Sequence, residues 1–283
     1  MKNAVISDIH LEFSQMKDTI PQVDNLFLPG DVLVANYLKP KRTDKDARRH
    51  CSVVKDFFHK CLDSAKFIFI VPGNHEFYHG HISTIEQNLA QWLINLVPEL
   101  DGVLFVLDGN QIFDLNEKWS LAGCTLWTNM NKEDPLSMDA IRSALNDYRC
   151  IYTDEKRKVP IHPIGVLNKH KVFLSQLADR YKEAEERDRD LVIMTHHAPT
   201  FKSIDPKYKN DSLINGAYAS DLSDFILDRP RIKYWLHGHI HATNDYMVGD
   251  CRVISNPRGY VMESKYDYGE RNKDFESEFS FSL

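Results

Sequence analysis

Five short apolar segments of the chain each end in aspartate, asparagine or histidine. The segments are rich in β-branched and aromatic residues, which predicts buried strands. The polar residues that follow them are Asp8 with His10, Asp31, Asn74 with His75, His196 with His197, and His239 with His241. Strand ends normally favour small turn residues, so turn formation alone does not explain side chains of this kind at five of them.

Amphipathic helices alternate with several of these strands. Apolar residues at helical spacing predict helices over residues 45–65, 81–97, 137–148 and 164–189. Alternating strands and helices predict an α/β fold with parallel strands, and sites in such folds lie beyond the carboxyl ends of the strands. We therefore expect the five polar strand ends to meet at one sheet edge.

The densest cluster follows the last of the five strands and contains histidines at positions 237, 239 and 241. Gly238 permits a sharp backbone turn, after which His239 and His241 can converge on one point. Two neutral imidazoles at one point suit a transition metal. Taken alone, the pair is explained equally well by solvent exposure in a loop.

The five strand ends together predict two metal ions rather than one. They offer too many donors for a single tetrahedral ion, and a shared carboxylate can bridge two cations ~3.5–4 Å apart. Mixed oxygen and nitrogen donors suit borderline divalent ions. Our first expectation is Mn²⁺, with Zn²⁺, iron or Ni²⁺ as alternatives.

The ordered motifs carry a family resemblance. They are Asp8-x-His10, Gly30-Asp31, Gly73-Asn74-His75-Glu76, a strand-end histidine at 196 and Gly238-His239-x-His241. Together they resemble the motifs of the calcineurin-like metallophosphoesterases over residues 4–243, with order and spacing intact. The resemblance implies a two-sheet αββα sandwich with a dinuclear metal site at the C-terminal edge of the strands. It also implies a hydrolase of phosphate esters that uses hydroxide activated by the two ions.

The resemblance further implies a role for each motif residue. One ion would be held by Asp8, His10, Asp31 and His241, and the other by Asp31, Asn74, His196 and His239. His75 would act on the phosphate and the leaving group rather than bind metal. Neighbouring side chains point apart, so of the adjacent histidines we expect His196, nearer the strand end, to be the ligand. His197 then either contacts substrate or is simply exposed.

A narrower similarity links the chain to a small bacterial and phage branch of the superfamily that resembles Ser/Thr phosphatases. Stretches such as residues 74–78, 126–128 and 256–260 carry it. Phosphoprotein phosphatases have a carboxylate three residues after the Gly-Asp aspartate, and it orients the motif histidine. Here that position is Val34, which counts against a protein phosphatase and leaves open what orients His75.

Residues outside the motifs are candidates for substrate contact. Arg149 and Arg258 lie in tight polar turns, where a guanidinium either binds phosphate or forms a structural ion pair. The basic stretch over residues 39–49 either attracts a polyanion or, as we prefer, is a solvated helix start. In the long loop over residues 200–219, the aromatic side chains either stack on a base or, as we prefer, anchor the loop.

The substrate expected from these features is a small phosphoester, with a nucleotide or a cyclic phosphodiester as an example. A net charge of −6 argues against a polynucleotide as the main partner. Two other functions stay open. One is a nuclease acting on single-stranded nucleic acid, and the other is a metal-stabilised binding module without turnover.

Length and composition predict one cytoplasmic domain over residues 1–283, with a polar and aromatic tail on the surface over residues 264–283. Five cysteines without paired short spacings predict free thiols in a reducing compartment. The chain begins with a strand rather than a signal-type segment, and no apolar run approaches the ~20 residues that span a bilayer. We expect no membrane partner, and oligomeric state is not predicted.

Overall fold

A computed structural model describes residues 1–154, 156, 158–261 and 271–283. The strands are β1 (Lys2–Val5), β2 (Val23–Leu28), β3 (Ala65–Ile70), β4 (Leu104–Val106), β5 (Phe113–Asp114), β6 (Trp119–Cys124), β7 (Tyr152–Asp154), β8 (Val159–Pro160), β9 (Asp190–Thr195), β10 (Ile232–Leu236), β11 (Asn244–Val248), β12 (Cys251–Ser255) and β13 (Ser280–Ser282). The α-helical segments are α1 (Lys45–Ser64), α2 (Ile82–Leu96), α3 (Met130–Glu133), α4 (Pro135–Ala144), α5 (Asp147–Cys150), α6 (Pro163–Glu186), α7 (Ser212–Asn215) and α8 (Ser223–Leu227).

The strands form two large sheets and one small one. The first sheet has the order β13-β1-β2-β3-β4, the second β11-β12-β10-β9-β6-β5, and β7 pairs with β8. Strands β1 to β4 are parallel, as are β6, β9, β10 and β12, while antiparallel strands occupy both edges of the second sheet. The carboxyl ends of the parallel strands therefore gather along one edge of each sheet.

Successive side chains along each strand point to opposite faces of the sheet, and this separates two buried layers. Phe27 and Phe69 point into the space between the sheets, where their rings stack with centroids 5.7 Å apart. Their neighbours Leu26 and Ile68 point to the outer face, where helices cover the first sheet. Side chains of β6, β9, β10 and β12 fill the other side of the inner layer. This arrangement confirms the predicted two-sheet sandwich flanked by helices.

The predicted helices over residues 45–65, 81–97 and 164–189 are present as α1, α2 and α6. The helix expected over residues 137–148 is divided into α4 and α5, because Leu145 has an extended backbone (φ −86°, ψ 143°). This break matters for the site, since it brings residues 144–147 to the edge where the parallel strands end.

The C-terminal tail departs from expectation. Residues 264–270 of the predicted surface tail lie outside the described residues, and the end of the tail is strand β13, which pairs antiparallel with β1. Phe281 is buried against the inner layer, so the last residues extend the first sheet. All five cysteines are free thiols, as predicted. Among the described helices, none has the length and apolar character needed to cross a membrane.

Candidate metal centre

The seven side chains predicted as ligands meet at the carboxyl edge of the parallel strands. In one half of the cluster, Nε2 of His10 lies 3.1 Å from Nε2 of His241. The same His241 nitrogen lies 3.3 Å from Oδ1 of Asp8, and Nε2 of His10 lies 3.9 Å from Oδ2 of Asp31. One acidic and two imidazole side chains thus surround a point that Asp31 also reaches.

The other half of the cluster forms around Nε2 of His196. This atom lies 2.9 Å from Oδ1 of Asn74, 3.1 Å from Nδ1 of His239 and 3.4 Å from Oδ1 of Asp31. Asp31 therefore presents one carboxylate oxygen to each half. It stands where a ligand shared by two ions would have to stand.

Hydrogen bonds behind the cluster fix which atoms face inward. Nδ1 of His196 donates to the carbonyl oxygen of Pro29 (2.8 Å), so its Nε2 presents a lone pair. The amide nitrogen of Asn74 donates to Oδ1 of Asp147 (2.9 Å), so Oδ1 of Asn74 also faces inward as an acceptor. Converging acceptors repel one another unless a cation lies between them. The donor set therefore fits a divalent metal ion, and ligands held ~2.0–2.2 Å from one ion have spacings similar to those observed.

The backbone at the ligands is unusual. Five of the seven predicted ligands have positive φ: Asp8 (51°), His10 (51°), Asp31 (53°), His239 (68°) and His241 (53°). Such values are uncommon for residues with a side chain and cluster at functional sites. Each of these residues turns the chain sharply at a strand end, which places its side chain over the sheet edge.

Gly238 serves close packing rather than the turn that we expected of it. The positive φ angles fall on His239 and His241. A Cβ atom at Gly238 would lie 2.6 Å from Oδ2 of Asp8, and one at Gly73 would overlap Oδ1 of Asp31. These two glycines allow the backbone to approach the carboxylates closely.

Glu76 holds two of the turns together. Its buried carboxylate accepts hydrogen bonds from the backbone N–H groups of Asp31 (2.9 Å), Val32 (2.8 Å), Leu33 (3.1 Å) and Gly73 (2.6 Å). The turn that carries Asp31 is thereby fixed to the turn that carries Asn74. Burial and the neighbouring Asp31 raise the pKa of Glu76 to about 7. Its place in the motif gave no indication of this role.

Glu12 supplies the partner that Val34 cannot give to His75. Its Oε1 lies 2.8 Å from Nδ1 of His75 and 3.0 Å from Nδ1 of His10. Burial favours the neutral form of Glu12, but His10 and His75 outweigh it and lower the pKa of this carboxyl well below its usual value. A sequence signal existed, because Glu12 is two residues from His10 in the same turn.

His75 lies beside the predicted ligands, with its ring centroid 4.5 Å from that of His10. Its Nε2 lies 3.3 Å from the hydroxyl of Tyr260, and its ring stacks on Tyr78 with centroids 4.1 Å apart. Burial opposes its protonation, but the carboxylates of Asp31 and Glu12 prevail and raise its pKa to about 9. Both carboxylates thus favour the protonated form of His75.

The other two histidines of the motifs lie outside the cluster. His197 is buried against Trp127, with ring centroids 5.0 Å apart, and its Nδ1 donates to the carbonyl oxygen of Thr125 (3.1 Å). Burial and the neighbouring His196 lower the pKa of His197 to about 3. His237 pairs through Nε2 with the hydroxyl of Ser203 (2.9 Å). Neither histidine lines the cavity at the metal cluster, so the predicted substrate contact of His197 is not found.

The two candidate arginines also lie away from this cavity. Arg258 is buried and donates to the carbonyl oxygens of Ile9 (3.0 Å) and Gln15 (2.9 Å). Its guanidinium thus braces the loop after β1, which is the structural alternative rather than phosphate binding. Arg149 is exposed and turns back to Asn146 and to the carbonyl oxygen of Ser143. Both interactions are local to the α4–α5 connection.

Comparison with known sequences gives two matches. The sequence profile of the calcineurin-like phosphoesterases matches residues 1–243. The chain is 31% identical over 276 residues to the uncharacterized protein L509 of Acanthamoeba polyphaga mimivirus, covering 91% of each.

Two solved structures share the fold. The phosphopantetheinyl hydrolase of Mycobacterium tuberculosis aligns with a TM-score of 0.60 at 13% identity, over 92% of this chain and 89% of that one. A dimetal phosphatase from Danio rerio aligns with a TM-score of 0.50 at 12% identity, over 90% and 86%.

Proposed function

This chain belongs to the calcineurin-like phosphoesterase family, and from that premise we propose that it hydrolyses small phosphate esters with the help of two divalent cations. One observation carries the proposal. Two groups of acceptor atoms converge on either side of Asp31, and a histidine held by a carboxylate stands beside them. Such an arrangement serves attack on phosphorus together with protonation of a leaving oxygen.

Seven residues would hold the cations. Asp8, His10 and His241 would bind one, Asn74, His196 and His239 the other, and Asp31 would bind both. When bound, two such cations lower the pKa of water and neutralise phosphoryl oxygens. Carboxylate, amide and imidazole donors together favour Mn²⁺, with Zn²⁺, iron and Ni²⁺ as alternatives.

His75 is the proposed general acid. Glu12 accepts a hydrogen bond from Nδ1 of His75, so the proton on Nε2 is directed toward the cavity, where the leaving oxygen of a substrate would lie. Tyr260 is within hydrogen-bonding range of the same nitrogen and limits rotation of the ring. General acids of this kind contribute ~10²–10⁴-fold in rate.

The first experiment measures hydrolysis of mono- and bis(4-nitrophenyl) phosphate by purified protein. It is run as purified, after chelation, and after addition of Mn²⁺, with metal content measured in each sample. We expect two Mn²⁺ per chain, loss of turnover on chelation and recovery on addition. The two substrates decide between monoesterase and diesterase activity.

A variant separates catalysis from metal binding. His75→Asn should keep two Mn²⁺ per chain and lose ~10²–10⁴-fold in kcat. If the natural chain holds two Mn²⁺ but hydrolyses neither substrate, that result contradicts the proposal and favours a binding module without turnover. Unchanged kcat in His75→Asn would contradict the role of His75.

A further inference from the structure

A cavity of about 390 Å³ opens directly onto the metal centre. It lies between residues 144–147 and the long loop over residues 200–219. Its inner end is lined by His75 and by the proposed ligands, including Asn74 and His239. If phosphorus is attacked at these residues, the remainder of the substrate occupies this cavity.

Aromatic rings form the inner wall. Tyr218 stacks on His239 with ring centroids 5.0 Å apart, and Tyr78 stacks on His75 at 4.1 Å. Farther out, the partly exposed side chains of Leu145, Ile204 and Ile214 line the cavity. This wall favours a leaving group with apolar or aromatic surface.

The charges on the outer wall are negative. Asp205 and Asp211 line it, and among the described residues of the lining there is no lysine or arginine. The Lys207 ammonium lies 3.4 Å from the Asp205 carboxylate but is not part of the lining. Asp211 is exposed directly before α7, so a second carboxylate is presented on this wall.

The wall is fixed by hydrogen bonds in the loop. Ser203 contacts His237 (2.9 Å) and the hydroxyl of Tyr246 (2.7 Å). The amide of Asn215 donates to the carbonyl oxygen of Tyr208 (2.9 Å). The acidic side chains are therefore presented by a defined structure, and an anionic leaving group would meet them.

We propose that the substrate's leaving group is partly apolar and carries no negative charge, being either neutral or cationic. This inference rests on the proposed function and deepens it. A nucleoside monophosphate has a neutral leaving group and fits. A leaving group with a second phosphate, as in a nucleoside triphosphate or a polynucleotide, is repelled.

Binding of phosphonates tests this inference independently of turnover, because their C–P bond is not hydrolysed by phosphoester chemistry. The three probes are benzylphosphonates with a 4-methyl, a 4-aminomethyl or a 4-carboxy group. Calorimetry on the Mn²⁺-loaded chain gives their Kd values. We expect the carboxylate to bind about tenfold more weakly than the methyl compound, and the ammonium compound to bind at least as tightly as the methyl compound.

Charge reversal at the outer wall supplies the second arm. Asp211→Lys should bring the ratio of the carboxylate Kd to the methyl Kd close to one, and Asp211→Asn should lower it about threefold. Asp228→Lys is the matched control, because Asp228 is an exposed aspartate outside the cavity. It makes the same change in net charge and should leave the ratio unchanged.

The outcomes separate the two proposals. Equal affinity for the methyl and carboxylate probes, or a ratio that Asp211→Lys does not move, would overturn the inference even if nitrophenyl phosphates are hydrolysed. The expected charge preference without hydrolysis would contradict the proposed function, and only the preference of the cavity for uncharged or cationic ligands would remain. Absence of binding by all three probes would overturn the inference, whereas the proposed function is decided by hydrolysis of the nitrophenyl phosphates.

Discussion

Replacing Glu12 by glutamine tests how His75, the proposed general acid, is held in place. The carboxylate oxygen that accepts from His75 (2.8 Å) and from His10 (3.0 Å) becomes a neutral amide of the same shape. A hydrogen bond to a charged group contributes ~1.5–3 kcal/mol, and one pKa unit corresponds to ~1.4 kcal/mol. Loss of the charge should therefore lower the pKa of His75 by ~1–2 units.

The sign of the pH effect follows from the protonation that the acid needs. His75 has a pKa of about 9, so kcat should fall as the pH rises through that value. In Glu12→Gln the same fall should begin ~1–2 pH units lower. Looser orientation of the ring should also lower kcat ~10–100-fold at neutral pH, with a small effect on KM.

The assay is kcat against pH on a nitrophenyl phosphate at saturating Mn²⁺, with metal content measured at each pH because Glu12 also contacts His10. Glu133→Gln is the matched control, since this exposed glutamate pairs with Lys171 on the surface. A variant that retains two Mn²⁺ and an unshifted alkaline limb would refute the positioning role of Glu12.

Three further predictions concern the shared ligand Asp31, the glycine that packs against its carboxylate and the buried His50. Asp31→Asn should bind fewer than two Mn²⁺ per chain and lose turnover, and elemental analysis showing two would contradict a shared ligand. Gly73→Ala should lower metal affinity by at least about tenfold, because the new methyl group overlaps the Asp31 carboxylate; a calorimetric Kd equal to that of the natural chain would refute this. Burial lowers the pKa of His50 to about 4, so its stabilising contribution is present above pH ~6.5 and is lost as the pH falls toward 4. His50→Gln keeps an acceptor for the Val34 N–H and should reduce the acid loss in unfolding free energy by ~3 kcal/mol, measured by denaturant titration from pH 7 to 4; an unaltered loss would exclude His50 as a cause.

The sequence was enough to predict that the site lies at the carboxyl ends of the strands, because the evidence for that location is local. Each ligand follows an apolar strand within a few residues, and parallel strands bring their carboxyl ends together without further information. Asp31 follows β2 of the first sheet and His196 follows β9 of the second, so their 3.4 Å approach also requires the two sheets to face each other. That arrangement was implied by the family resemblance rather than by the strand ends themselves.

The residues that support the ligands could not be predicted in the same way. Asp147 orients Asn74 only because the α4–α5 connection reaches the edge, and that connection depends on an extended residue at 145. Glu12 is two residues from His10 but 63 positions from His75, so the sequence shows its nearness to His10 and not its contact with His75. Partners of this kind depend on how loops pack, which hydrophobic periodicity does not encode.

A strand that the sequence did not predict and an arginine whose role it left open share a physical cause. Strand β13 lies at the edge of its sheet and buries little more than Phe281, so its sequence looked like a surface tail. Arg258 lies in a polar turn next to the site, and the turn alone does not show whether its guanidinium faces solvent or backbone carbonyls. Short edge strands and arginine orientation are both decided by tertiary contacts.

The central claim is that Asp31 stands between two divalent cations. A crystal of the chain grown with Mn²⁺ and recorded near the manganese absorption edge tests it most directly. The account predicts two anomalous peaks, one among Asp8, His10 and His241 and the other among Asn74, His196 and His239, with Asp31 contacting both. A single peak, or peaks away from these side chains, would contradict it.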